Sequence, residues 1–263
     1  MDLGLRGKVA VVTGSSKGLG KAVALAFARE GAKVAISARG QEALRTAARE
    51  IREATGVEVL ATTCDVTIPE SVNGLVEDVM SEYGRLDILV TNASGPPPAR
   101  FLELKPEDWQ AAVELTLMGV VRLCYAALPH MRRQGGGSIV SMTSFTVKQP
   151  EQNLVLSNSI RLAVVGLTKT LANELGKDNI RMNTICPGWT RTQRVDQLIR
   201  DRAARQGITA EQEAENITGQ IPLGRMGRPE EIANVVVFLA SPAASYVHGV
   251  TLQVDGGLVK GVM

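Results

Sequence analysis

Short apolar, β-branched runs recur along the chain, each followed by a longer stretch with helical spacing. Residues 8–13, KVAVVT, form the first such run. An apolar run without polar alternation is the pattern of a strand buried on both faces. Residues 18–30 are Ala-rich with helical spacing, and Gly31 stands where a helix C-cap belongs. The alternation continues to the end of the chain. Strands are predicted over residues 33–37, 57–63, 86–91, 138–142, 180–185 and 250–254, and helices over 41–55, 69–83, 106–133, 152–176, 193–220 and 230–240. A Pro-rich loop, residues 95–99, follows the fourth strand, and the glycines 135–137 end the long helix. Single helices between successive strands imply right-handed βαβ crossovers, hence a parallel sheet with helices on both faces. No linker-like stretch and no fixed-period repeat interrupts the pattern. It predicts one α/β domain over residues 1–263, a doubly wound parallel sheet of seven strands.

Composition narrows the function classes. A chain of 263 residues buries a large core without disulfides or metal staples. Its net charge of +2 argues against partners recruited by charge, so neither nucleic acid nor a membrane surface is expected. No run approaches 18 consecutive apolar residues, the N-terminal stretch has no apolar signal region, and no membrane span is expected. Cys64, Cys124 and Cys186 are far apart and form no CxxC pair. They read as reduced cysteines in the core of a cytoplasmic protein. His130 and His248 have no ligand spacing, so no metal site is expected.

The chemistry-bearing motif lies between the first strand and the first helix. It reads Thr13-Gly14-Ser15-Ser16-Lys17-Gly18-Leu19-Gly20. Glycines there let the backbone turn tightly and approach a pyrophosphate, while the helix start offers free N–H groups and its positive dipole end. In this position the motif marks a Rossmann-type dinucleotide site. Sites selective for NAD(H) place a carboxylate after the second strand, on the ribose 2′-hydroxyl. Here the chain reads Ser37-Ala38-Arg39, without an acid. Arg39 and Lys17 suit a 2′-phosphate, so NADP(H) is favoured over NAD(H). Both also suit a solvated surface.

TGxxxGxG at this place resembles the short-chain dehydrogenases/reductases, and the likeness runs the length of the chain. Asp65, followed by Val66, matches the acidic residue that holds the adenine ring. Asn92-Ala93-Ser94 matches the family's Asn-Ala-Gly. Pro187, Gly188 and Thr192 match the PGxxxT segment near the nicotinamide. Val254-Asp255-Gly256-Gly257 matches the usual C-terminal strand ending. The wording of residues 95–98 and 221–225 looks closest to the 3-oxoacyl-thioester reductases. The resemblance implies a homotetramer or homodimer built on the long helices and the last strand, and a substrate-covering flap over residues 193–220. That flap holds Arg194, Arg200, Arg202 and Arg205, which suit either an acidic thioester carrier or a solvated face balanced by nearby acids.

The same resemblance implies a catalytic Asn, Ser, Tyr and Lys, the last two spaced as YxxxK. Aligned on residues 137–140, the Ser falls on Ser144, the Tyr on Ser157 and the Lys on Arg161; residues 164–169 continue the family's helix without a gap. Aligned on Trp109 and residues 127–129, the Asn falls on Thr116. The tyrosines are Tyr83, Tyr125 and Tyr246, none of them between the fifth and sixth strands. An aliphatic hydroxyl is far less acidic than a phenol, whose pKa of ~10 a nearby cation lowers further. Ser157 is therefore a hydrogen-bond donor but a poor general acid. Arg161 keeps a positive charge and five donors, though it stays protonated and cannot relay protons. Two readings stand. One is an NADP(H)-dependent reductase of a small-molecule carbonyl, 3-oxoacyl thioesters included, using Ser144, Ser157, Arg161 and Thr116. The other is a catalytically impaired dinucleotide-binding protein that acts as a sensor or oligomer partner.

Overall fold

The computed structural model describes residues 2–262. The strands are β1 Val9–Thr13, β2 Lys33–Ala38, β3 Val59–Thr63, β4 Ile88–Thr91, β5 Gly137–Met142, β6 Ile180–Pro187 and β7 Thr251–Val254. They form a single parallel sheet in the order β3-β2-β1-β4-β5-β6-β7. This is the doubly wound Rossmann-type sheet that the apolar pattern predicts. The order reverses between β1 and β4, so a crevice opens at their C-terminal ends, where such sheets bind ligands.

Both faces of the central strands are buried, and alternate residues serve different layers. Ala10 and Val12 of β1 pack under α1 (Gly18–Arg29), α2 (Gln41–Thr55) and α9 (Pro229–Ala240). Val9 and Val11 face α3 (Pro69–Tyr83), α5 (Gly119–Arg133) and α6 (Val155–Leu175). That two-sided burial explains the unbroken VAVV run. A satellite core of Phe145, Trp189, Ile199, Ile217, Ile221 and Met226 anchors α7 (Gln193–Gln206) and α8 (Ala210–Gln220). All three cysteines are free and buried.

The structure corrects two predicted elements. Residues 193–220 are two helices, not one. Gly207 adopts φ 69° after α7, the left-handed turn that ends a helix. Thr209 then opens α8 with a capping box, its hydroxyl accepting from the Gln212 backbone and the Gln212 side chain accepting from Thr209. The helix over 106–133 is continuous but contains a π-bulge at Glu114–Met118, between α4 (Pro106–Val113) and α5. Among the described residues, Pro106–Arg133 is the one helix long and apolar enough to cross a membrane by composition, with an 18-residue window of mean hydropathy 1.6. Here it lays Leu123, Cys124, Ala127 and Met131 on the sheet, as a core helix does.

At the opposite end of the sheet from the crevice, Asp87 ties the strand starts together. Its carboxylate accepts from the Val9 backbone N–H at 3.0 Å, from Arg85 through both oxygens, and from Lys8 at 3.3 Å. Burial opposes its charge, but these bonds prevail and hold the carboxyl below its ordinary range. Its stabilising effect is therefore present above the unfolded-state pKa of about 4 and is lost as pH falls through the lower folded-state pKa. Replacing Asp87 by Ala is expected to cost about 2–3 kcal/mol, the range for bonds to a charged group, and to lower Tm by roughly 5–10 °C at pH 7. The gap between the two proteins narrows in acid. Thermal melts from pH 7 to pH 3 check this, and a Tm difference independent of pH would contradict it.

Candidate active site

The crevice begins with a knot between β1, β4 and α1. The Asn92 carboxamide donates to the carbonyls of Thr13 at 3.2 Å and Gly14 at 3.0 Å. The Thr13 hydroxyl donates to the Asn92 carbonyl at 2.7 Å and accepts the Asn92 N–H at 2.9 Å. This packing leaves no room for side chains at two glycines. A Cβ on Gly20 would stand 2.4 Å from the Gly14 carbonyl oxygen, and one on Gly14, which has φ 57°, would stand 2.7 Å from the Asn92 carbonyl oxygen. Helix α1 starts at Gly18 without a side-chain cap, so its first N–H groups are open to the crevice.

From this knot a cleft of about 1120 Å³ runs along the C-terminal ends of β1, β4, β5 and β6. It is lined by Gly14, Ser16, Lys17, Gly18, Leu19, Gly20, Arg39, Asp65, Val66, Asn92, Pro187, Gly188 and Thr192, together with Ser144, Ser157 and Arg161. Residues from seven separate parts of the sequence thus meet on one surface. Lys17 and Arg39 are exposed, and neither forms an ion pair among the described residues. Asp65 uses one oxygen to accept the Thr67 N–H at 3.0 Å and the Thr67 hydroxyl at 2.7 Å, which leaves the other for a ligand. Burial opposes its charge, yet the Thr67 bonds and nearby Arg39 bring its pKa below the usual value. Thr192 caps α7, its hydroxyl accepting the Val195 N–H.

At the far end of the cleft, Ser144 follows β5 and its Oγ accepts the Thr146 N–H at 3.2 Å. The hydroxyl proton remains available to a ligand. Ser157 and Arg161 lie one turn apart on α6, each only 9% exposed. Arg161 Nη1 donates to the carbonyls of Met142 at 3.2 Å and Thr143 at 3.4 Å, directly before Ser144. Burial first, and the like charge of Arg194 second, bring the Arg161 pKa down to about 10, with Cys186 partly offsetting them. At neutral pH Arg161 is still a cation. Thr116 differs from the other expected residues. It sits in the π-bulge, 6% exposed, its hydroxyl without a partner, and only its neighbour Leu115 lines the cleft.

The four arginines of residues 193–220 also separate. Arg202 pairs with Glu151 and Glu213 and stacks over Trp189, and Arg205 approaches Glu103. Arg194 pairs with no acid among the described residues; it lines the cleft and donates to the Pro96 carbonyl at 2.9 Å. Sequence spacing alone treats the four alike. The fold distinguishes them: Arg200 also lines the cleft but donates to its neighbour Gln197, whereas Arg194 reaches the Pro96 carbonyl beside Arg161.

Comparison with known proteins agrees with this geometry. The family profile described as "Enoyl-(Acyl carrier protein) reductase" matches residues 14–259. The 3-oxoacyl-[acyl-carrier-protein] reductase FabG of Thermotoga maritima is 37% identical over 255 residues, covering 97% of this chain and 99% of that protein. The chain belongs to the short-chain dehydrogenase/reductase family. Among solved structures, the L-sorbose reductase of Gluconobacter frateurii, in complex with NADPH and L-sorbose, superposes with TM-score 0.94 at 40% identity, covering 100% of both chains. A variant actinorhodin polyketide ketoreductase with NADPH gives TM-score 0.93 at 36% identity, covering 97% of this chain and 98% of that one. The glycine loop of this short-chain dehydrogenase/reductase is a packing requirement in its own right. Gly20→Ala is expected to cost about 3 kcal/mol, the upper range for overpacking, because a backbone carbonyl cannot swing aside. Gly40→Ala, with nothing within 4 Å of the added Cβ, is expected to melt like the unmodified protein. Denaturant unfolding of both variants checks the contrast; equal stabilities would contradict it.

Proposed function

We propose that the chain is an NADP(H)-dependent carbonyl reductase in which Ser144, Ser157 and Arg161 hold the substrate oxygen. One observation carries this reading: the three side chains line the same cleft as the glycine loop, Asp65, Asn92 and Thr192. The residues present fit the cofactor. Uncapped α1 and the side-chain-free surface of Gly18 suit the pyrophosphate, Asp65 and Val66 the adenine, and Lys17 with Arg39 a 2′-phosphate. When bound, the nicotinamide supplies the hydride. The chain's residues then do the rest. Ser144 and Ser157 donate hydrogen bonds to the developing oxyanion, and the Arg161 cation stabilises it. The alkoxide takes its proton from the Ser157 hydroxyl, which regains one from solvent. Helices α7 and α8 form the flap over the substrate end. A homotetramer or homodimer is proposed on the faces that leave Tyr125 on α5, Leu162 on α6 and Leu252 on β7 exposed.

A second reading has its own observation. No tyrosine reaches the cleft: Tyr83 donates to the Val34 carbonyl, and Tyr125 and Tyr246 are 78% and 102% exposed. A protein without a phenolic acid can retain binding while losing turnover, acting as a nucleotide sensor or oligomer partner.

Single-turnover NADPH oxidation, with protein in excess over a short 3-oxoacyl thioester, separates the two. The native protein is expected to consume NADPH about 100-fold faster than Ser144→Ala, the usual loss for one oxyanion donor. Turnover confined to the variant Ser157→Tyr/Arg161→Lys would instead establish the binding reading. Cofactor choice has a separate test. Arg39→Asp is expected to weaken NADPH by at least about 10-fold and to favour NADH, because it removes a phosphate partner and adds a ribose acceptor. Fluorescence titration of both nucleotides measures this, and an unchanged NADPH affinity would remove Arg39 from the site.

A further inference from the structure

The substrate end of the cleft holds a cation that the protein itself does not neutralise. Arg161 is 91% buried by its 9% exposure, yet forms no ion pair among the described residues. Its protein acceptors are two neutral carbonyls, both taken by Nη1. Nε and Nη2 have no acceptor among the described residues. Neither nitrogen is among the fully enclosed polar atoms without a partner, so both are open to the cleft and to a ligand acceptor there. Nη2 lies 3.5 Å from where a Cβ on Gly95 would be, and the next residue, Pro96, gives its carbonyl to Arg194 at 2.9 Å. Two guanidinium groups thus converge on the Gly95-Pro96 segment, from α6 and from the start of α7. Asp196 also lines the cleft but is not within ion-pair distance of either. Arg161 stands with Ser144 and Ser157 at the end of β5, while α7, which carries Arg194, is capped by Thr192, whose side chain would lie 3.7 Å from a Cβ on Gly18, so the anchor and the opening of α1 are neighbours in one cleft.

We propose that the carbonyl compound reduced here carries a carboxylate, held between Arg161 and Arg194 beside Ser144. The inference rests on the reductase reading and names its substrate class: a short oxo acid. Planar guanidinium donors match a carboxylate. The carboxylate is a handle and makes or breaks no bond. The balanced change is ketone, hydride from NADPH and one proton giving secondary alcohol and NADP+. Without a side chain at Gly95, the small anion keeps access to Nη2.

The test measures binding, not turnover. 3-Hydroxybutyrate and lactate, each with its methyl ester, are titrated calorimetrically into the protein with and without NADPH, so that no net reaction occurs. At least one acid is expected to bind about 10-fold or more tightly than its ester, the effect of one or two charge-assisted bonds. Arg194→Gln, a change at an exposed position, is expected to abolish that preference and leave NADPH affinity unchanged. The proposal is overturned if neither acid outbinds its ester, or if the preference survives in Arg194→Gln. It also fails if Arg194→Gln weakens NADPH as much as the acid, since the pair would then serve the cofactor's phosphates. Failure of the native protein to bind NADPH, with the acid preference intact, would overturn the reductase reading and leave the anion site standing.

Discussion

The Asn92 carboxamide, bonded to the carbonyls of Thr13 and Gly14, holds the end of β4 against the end of β1 and the start of α1. Much of the cleft depends on that junction. It lies where the strand order reverses, the place in a doubly wound sheet where neighbouring loops part and leave a crevice. The contact is so close that Gly14 and Gly20 have no space for a Cβ. Their backbone therefore faces the crevice, and α1 presents its uncapped N–H groups to whatever lies there. One amide thereby couples the stability of the sheet's centre to the shape of the crevice floor.

The other end of the cleft is organised by a different constraint, the burial of a charge. Arg161 replaces hydration with two backbone carbonyls and nothing acidic. Burial and Arg194 both disfavour its protonated form, yet at a pKa of about 10 it remains a cation near neutrality. A guanidinium held this way stabilises negative charge without moving protons. In the proposed chemistry, then, electrostatic stabilisation bears more of the load than acid catalysis. General acid–base catalysis typically contributes about 10²–10⁴-fold, so a weaker proton donor means a slower reaction unless the electrostatics compensate.

The apolar pattern read correctly because strand burial is two-sided. Val9, Val11 and Ala35 belong to one core, and Ala10, Val12, Val34 and Ile36 to the other, so residues 9–12 and 34–36 are apolar without alternation. Element ends were less legible. Residues 57–58 and 86–87 continue the predicted strands in composition, but pairing begins only at Val59 and Ile88. The break at Gly207 and the π-bulge at Glu114–Met118 escaped the helical pattern for different reasons. A glycine inside a polar helical stretch is compatible with either continuation or a stop. A one-residue change of helical phase leaves no mark in composition.

The sequence by itself determined the sheet, the glycine loop and, Thr116 apart, candidate residues that line the cleft, because each is tied to a local pattern or to a motif of fixed spacing. It also determined that no tyrosine lies between β5 and β6. Tertiary structure alone decided which long-range neighbours those residues have. Within the π-bulge Thr116 is buried while Leu115 lines the cleft. Arg202 is consumed by Glu151 and Glu213, whereas Arg194, on the same helix, reaches across to Pro96 and stands beside Arg161. A hydrogen bond across 98 positions of sequence, as from Arg194 to the Pro96 carbonyl, depends on how loops from different crossovers meet at the end of the sheet. No periodicity along one segment encodes that meeting.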